Sequence, residues 1–200
     1  DYLNKLPLDK PSDATFYSTQ QELIMAVNAC YNYVTQRIEW SIPNQFTEEA
    51  ITDIFGTRSS GSNWNPIKFG ALGSSDNLPK SIWSYSYTGI NRTNALLENM
   101  SKAEAITDPA IFKRIRSEAR VIRAINYINL IQKFGDVPLI DKLITTEEAL
   151  DVTRTKKSDV LQFIYKELDE SSVDLPLTYS SNTDKGRITK GAALAMKARV

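Results

Sequence analysis

Apolar residues recur along this chain at helical spacing, in blocks separated by polar and glycine-containing stretches. The first block runs from Thr19 to Gln36. Leu23, Val27, Cys30 and Val34 fall on one face, and Thr19 with Glu22 reads as a capping box, each side chain satisfying a backbone donor at the helix start. A short helix is predicted from Glu48 to Phe55, capped by Thr47 and stopped by Gly56. Periodicity then lapses. Gly56 to Lys80 is rich in Gly, Ser and Asn, with Arg58, Trp64, Asn65 and Phe69 scattered through it. A stretch this long without a repeat is uncommon inside a compact domain and is usually functional or disordered. Disordered segments are poor in aromatics, so Trp64 and Phe69 predict an ordered surface loop.

Helical spacing returns at Ser81, where Ile82, Tyr85, Gly89, Ile90, Thr93, Leu96 and Leu97 share a face until the pattern fades near Ser101. Asp108 caps the next helix, with Pro109 at its first position, where a missing N–H costs nothing. Ile111, Ile115, Ala119, Ile122, Ile125 and Ile128 give it a wide apolar stripe up to Lys133, and Gly135 ends it. Val137-Pro138-Leu139-Ile140 then reads as a short extended stretch. The two helices form a predicted antiparallel hairpin. A second pair follows. Ser158 is placed to cap a helix with core positions Val160, Leu161, Ile164 and Leu168, ending before Pro176. After a polar loop over Leu177–Gly186, Thr189 opens a helix whose predicted core is Ala192, Ala193, Ala195 and Ala198.

Ala119-Arg120-Val121-Ile122-Arg123-Ala124 and Ala193-Leu194-Ala195-Met196-Lys197-Ala198 share one pattern of small, apolar and cationic positions. Small residues at such spacing let paired helices approach closely, as in TPR-like arrays, although the hairpins here are spaced well beyond the ~34 residues of a simple tandem TPR. The fold class predicted is all-α: TPR-like helical hairpins, an α-α superhelix with long loop insertions. Residues 1–200 form one domain with an insertion at about 56–80. Thr189–Val200 stays periodic to the last residue without a stop signal, so the chain is expected to be part of a longer helical unit.

Composition narrows the chemistry. The 200 residues hold 24 Lys+Arg and 24 Asp+Glu, no histidine and one cysteine. Without histidine there is no Ser–His–Asp or Cys–His catalysis and no imidazole metal ligand. One thiol can build neither a Cys-rich zinc site nor an internal disulfide. A formal net charge of zero argues against a general nucleic-acid binder. Eight Gly and eight Pro are few for this length and favour helix over a turn-rich β fold. The longest nearly apolar stretch, around Val121–Ile131, is broken by Arg123, Asn126 and Asn129, whereas a spanning helix needs about 20 apolar residues. Asp1–Lys10 lacks the basic start and apolar run of a signal peptide.

The remaining polar residues offer little catalysis. Glu48-Glu49 and Glu147-Glu148 each follow Thr at a predicted helix start, where negative charge meets the helix dipole, and adjacent carboxylates cannot face each other across a cleft. Cys30 reads as a buried core residue. Lys156-Lys157 and Lys166 read as solvated charge. Asp76, Asp136, Asp141 and Asp184 stand isolated, and no EF-hand ladder or phosphate loop is present. No cofactor and no metal is called for. The loop at Arg58, Trp64 and Asn65 is different: a flat aromatic beside amide and guanidinium groups is what the apolar face and the hydroxyls of a sugar require. Packing of Trp64 against the helices is the alternative. Trp40 is a weaker candidate, and Trp83, in a helical stripe, reads as core.

Four segments then carry a resemblance. Asp1-Tyr2-Leu3-Asn4-Lys5-Leu6-Pro7 with the helix from Phe16 to Tyr31 is one. Trp83, Tyr87, Ile90 and Asn94, in a W-x3-Y-x2-I-x3-N pattern with Asn91 as an additional polar residue, is the second. The third is Glu118-Ala119-Arg120 through Arg123-Ala124, Tyr127 and Leu130, followed by Gly135-Asp136-Val137-Pro138-Leu139. The fourth is Gly186-Arg187-Ile188-Thr189-Lys190-Gly191-Ala192-Ala193 through Lys197-Ala198-Arg199. In this order they resemble the SusD/RagB-like family of outer-membrane nutrient-binding lipoproteins. The resemblance implies TPR-like hairpins, no catalysis, and a surface-exposed lipoprotein that delivers oligosaccharide or another nutrient to a SusC-like TonB-dependent transporter. It places ligand residues in the loop before the W-x3-Y helix, hence Arg58, Trp64 and Asn65. It implies membrane attachment only through an N-terminal lipid anchor, whose cysteine is not in this sequence, and a longer chain of which these residues are the N-terminal portion. A helical-repeat scaffold devoted to protein–protein contact, with no ligand site of its own, is the alternative reading.

Overall fold

A computed structural model of the chain describes residues 16–34, 70, 71, 73 and 76–200. The predicted helix Glu48–Phe55, its acid pair Glu48-Glu49, Trp40, most of the 56–80 insertion and the Asp1–Pro7 segment lie outside those residues. The described residues form α1 (Gln20–Tyr31), α2 (Asn77–Asn99), a 3-10 segment (Met100–Ile106), α3 (Pro109–Phe134), α4 (Thr146–Leu150), α5 (Lys157–Asp174) and α6 (Lys190–Arg199). They contain no strand; the only β pairing among them is an isolated antiparallel bridge between Val137 and Thr155. The fold is all-α and TPR-like, as the periodicity predicts.

Most helix ends follow from local chemistry. Thr19 and Glu22 form the capping box at α1, and Glu22 also accepts from Ser18 N at 2.8 Å. After Tyr31 the backbone tightens through Tyr33 N to Cys30 O and Val34 N to Tyr31 O, so the helix ends short of the predicted Gln36. Asp108 caps α3 through Ala110 N and Ile111 N with Pro109 in its first turn, and Gly135 ends it at φ +70°, where a side chain would be strained. Thr145 and Glu148 form a second capping box, and Thr189 caps α6 through Ala192 N.

Three predicted boundaries move. α2 begins at Asn77 rather than Ser81, and the pattern that fades near Ser101 continues as the 3-10 segment. Ser158 is not the cap of α5, which starts one residue before it. The donor Lys157 N is met instead by Asp136 Oδ1 at 2.8 Å, from the turn after α3.

α3 is the central helix. α2 and α5 flank it, α1 packs on α2 and α3, and α6 packs on α5. The core runs through Leu23, Val27 and Cys30 of α1, Ile90 and Leu96 of α2, Ile115, Ile122 and Tyr127 of α3, and Val160, Ile164 and Leu168 of α5, all essentially inaccessible. One core expectation is corrected. Of Ala192, Ala193, Ala195 and Ala198, only Ala193 is buried; α5 covers one side of α6, and Leu194 on the open side is 45% exposed. Where α1 meets α2, Gly89 lets the helices touch: a Cβ there would lie 2.8 Å from Tyr33 Cβ and 2.9 Å from Asn126 Nδ2.

Candidate functional site

Arg58, Trp64 and Asn65 lie outside the described residues, which form a helical frame. Aromatic contacts join the end of α1 to α2. Tyr85 OH donates to the carbonyl of Asn32, the rings of Tyr33 and Tyr85 sit 4.8 Å apart, and the Arg92 guanidinium lies 5.3 Å over Tyr33. Trp83 is half-buried between Tyr87 and Phe134, at 5.0 and 5.1 Å between ring centres, which fits its reading as a packing residue.

Two polar clusters hold the rest of the frame. In the first, Arg123 donates from Nε and Nη2 to Glu167 Oε2 at 2.9 and 2.6 Å, and from Nη1 to Asn94 Oδ1 and the Asp141 carbonyl at 2.8 and 2.9 Å. Arg120 adds Nε to Glu167 Oε1 at 2.8 Å and Nη2 to Glu170 at 2.6 Å. Around it a strap over 137–143 is pinned by its carbonyls. Tyr87 OH donates to Pro138 O, Asn94 Nδ2 to Ile140 O and Lys142 O, and Tyr127 OH both donates to Ile140 O and accepts from Ile140 N.

In the second cluster, the side chain of Glu118 is wholly buried and accepts from Arg187 Nη1 at 2.9 Å, with Arg114 Nε at 3.4 Å and Tyr179 OH at 3.3 Å. Arg187 also reaches Asp184 and Asn28, while Tyr31 OH accepts from Ile188 N, so α1 is tied to the loop before α6. Burial pushes the Glu118 carboxyl up and the two guanidinium charges offset this only in part. Burial also raises Asp184, but Arg114 and Arg187 outweigh it and hold that carboxyl below the usual range. The aspartates that stand alone in sequence are therefore not all alone in space: Asp136 caps α5, Asp76 Oδ2 accepts from Gly73 N, and Asp184 pairs with two arginines.

These groups are spent on one another. Cys30 is buried and its thiol is pushed up to about 12, far from a reactive thiolate. Among the described residues no cluster of acidic or thiol groups could hold a metal ion, and no helix is long and apolar enough to cross a membrane.

Open grooves lie among the described residues. One of about 430 Å³ is lined by Leu97, Met100 and Phe112 and by both charge signs, including Arg116, Arg120, Glu98 and Glu104. One of about 330 Å³ lies between α2 and the 140–149 segment, with Tyr87, Ile90, Asn91, Asn94, Ile140, Ile144, Thr145 and Thr146 around it. A third, also about 330 Å³, sits beside Arg114 and Tyr179. No sequence pattern announces them, because each is assembled from segments tens of residues apart.

Comparison with known proteins places this frame. A SusD-like family model, described as starch-binding associating with outer membrane, matches residues 1–200. A SusD-like protein of Bacteroides ovatus is 27% identical over the whole chain and SusD-like protein P2 of Formosa agariphila 23% identical over 96% of it, the chain spanning 35% and 38% of their lengths. Among solved structures, a SusD-like carbohydrate-binding protein from Bacteroides fragilis overlays with a TM-score of 0.78 at 26% identity, covering 92% of this chain and 37% of that one. A laminarin-binding SusD-like protein overlays at 0.80 and 25% identity, covering 92% and 40%. Asn94, Glu118, Arg120, Arg123 and Arg187, motif positions in the sequence, are donors or acceptors in the two clusters, and with a family match over residues 1–200 the protein belongs to the SusD-like family.

Proposed function

We propose that this chain is part of a non-catalytic glycan-binding component of an outer-membrane uptake system, which captures oligosaccharide at the cell surface and passes it to a SusC-like TonB-dependent transporter. The observation that carries this reading is the laminarin-binding relative, which shares the helical frame over 92% of the chain. Residues 1–200 act as one TPR-like domain, attached to the membrane through an N-terminal lipid anchor rather than a spanning helix. Arg58, Trp64 and Asn65 are its ligand residues: the indole face takes the C–H side of a sugar ring, and the amide and guanidinium bond its hydroxyls. The contact of Tyr33 with Tyr85 and Arg92 supports this, because it joins chain upstream of the insertion, at position 33, to chain downstream of it, at positions 85 and 92.

Titration calorimetry of the protein against neutral oligosaccharides, laminarin- and starch-derived chains among them, tests the reading. Saturable binding is expected, weakened at least about tenfold by Trp64→Ala, since burying such a side chain contributes ~1.5–3 kcal/mol. Unchanged affinity in that variant clears Trp64 of the role. Capture of the transporter with no binding to any glycan overturns the capture function in favour of a protein–protein scaffold.

A further inference from the structure

We infer that the groove between α2 and the 140–149 segment is a second glycan contact, which takes a neutral sugar residue against Ile140, Ile144 and Tyr87 and bonds its hydroxyls through Asn91 and Thr146. The inference rests on the glycan-binding reading for the class of ligand, and on this groove alone for the place.

Its lining is the distinguishing feature. Charged residues make up 24% of the chain, yet no Asp, Glu, Lys or Arg lines this groove. The groove of about 430 Å³ carries Arg116, Arg120, Arg123 and Lys142 against Glu98, Glu104, Asp141 and Glu167, and the one beside Tyr179 carries Arg114, Asp174 and Asp184. A ligand with a formal charge would find a counter-charge in either of those and none here. Desolvating an ion without a partner is costly, so the uncharged groove favours an uncharged ligand.

The polar groups that remain are of the right kind. The Asn91 amide and the Thr146 hydroxyl have no partner among the described residues and are exposed. Thr145 accepts from Glu148 N and keeps its own proton to donate; Tyr87 donates to Pro138 O and keeps a lone pair. Together they offer donors and acceptors over an aliphatic floor and beside an aromatic ring, which matches a pyranose with hydroxyls at its edge and C–H groups on its face. Asn94, by contrast, is fully used: both donors go to the strap and its oxygen accepts from Arg123.

The lining is also fixed in advance. Ile140 is held by Tyr127 from both its N–H and its carbonyl, Lys142 by Asn94, and Leu143 N by Glu98 at 3.0 Å. A site that needs no ordering on binding loses less affinity to entropy. At about 330 Å³ the groove is at the lower end of the ~300–1,000 Å³ range of ligand clefts, so it suits a short section of a glycan rather than a long one.

The test uses the protein with laminarin oligosaccharides and with maltooligosaccharides, in the wild type, Asn91→Ala, Thr146→Val, Ala149→Phe and Trp64→Ala. Asn91, Thr146 and Ala149 are exposed on helices, so unchanged thermal melts are expected of their variants. Asn91→Ala should weaken binding of one or both glycans about fivefold to tenfold, and Ala149→Phe, which fills the groove, by at least as much; each should add to the loss from Trp64→Ala. A sulfated oligosaccharide should not compete for the part of binding that Asn91→Ala removes. Wild-type affinity in Asn91→Ala and Ala149→Phe, with loss in Trp64→Ala, overturns this groove and leaves the general reading standing. No saturable binding by the wild type overturns both, and equal competition by the sulfated chain overturns the neutral-ligand assignment.

Discussion

Replacing Arg123 by alanine is the sharpest probe of what holds the frame. Its side chain is 8% exposed and that of Glu167 3%, so the pair is out of water. Breaking such a pair from one side strands a buried charge and typically costs ~3–5 kcal/mol. Arg120 Nε stays 2.8 Å from Glu167 Oε1, which keeps one guanidinium on the carboxylate and puts the cost near the lower bound. Asn94 Oδ1, itself buried, also loses its donor, for about another 1 kcal/mol. The sum is ~4 kcal/mol. For a protein of this size each kcal/mol moves the melting temperature by ~2–4 °C, so Arg123→Ala should melt ~8–16 °C lower. Urea unfolding should show the same loss with an unchanged slope. Glu167→Ala removes the stranded charge, so Arg123→Ala with Glu167→Ala should cost at least ~1 kcal/mol less than the two singles added. A cost under ~1 kcal/mol for Arg123→Ala, or strict additivity in the cycle, would refute the reasoning.

Two glycines should respond with opposite signs. Gly89→Ala gains ~1 kcal/mol of helix propensity but drives a methyl to 2.8 Å from Tyr33 Cβ, so a net loss of ~1–2 kcal/mol is expected in denaturant unfolding, whereas Gly191→Ala, whose nearest neighbour is Thr189 Oγ1 at 3.8 Å, should gain ~0.5–1 kcal/mol. Asp184 has a carboxyl held low by Arg114 and Arg187, so its stabilisation is complete above the ordinary unfolded value and disappears as pH falls through the lower folded one. Asp184→Asn should therefore cost under ~1 kcal/mol at neutral pH, for a partly exposed pair, and nothing at about pH 2; a penalty that persists in acid counts against the ion pair.

What the sequence shows and what it hides divide along contact distance. The Thr19–Glu22 box, the Asp108-Pro109 start, the Gly135 stop and the Thr189 cap are each decided within four residues, and all were legible. Ser158 is a reasonable local cap, but the first amide of the helix, Lys157 N, is met by Asp136, twenty-one positions before it. The alanine stripe of α6 shows which residues could pack, not which side a neighbour covers, and only Ala193 finds one. Glu118, Arg123 and Arg187 were visible as motif letters, yet nothing in their spacing says that Arg123 meets Glu167 or that Arg187 meets Glu118 across 44 and 69 positions. Arg58, Trp64 and Asn65 belong to an aperiodic segment, for which the pattern of apolar residues gives composition but no placement.

The strap explains why those letters fall where they do. Tyr87 and Asn94 are two turns apart on α2, and Arg123 and Tyr127 one turn apart on α3, so each pair shares a face and the two faces meet the same backbone. Between them they satisfy the carbonyls of Pro138, Ile140, Asp141 and Lys142 in a segment with no ladder of its own beyond one bridge. An apolar core could hold α2 against α3 without them, but it could not fix the register of an irregular strap, since apolar contacts have no direction. Buried ion pairs gain little stability for their desolvation, and here the return is position. Ile140, which lines the uncharged groove, is held at both its N–H and its carbonyl by Tyr127. The polar residues that read as architecture therefore also decide whether a sugar finds a formed surface beside Asn91 or has to order one.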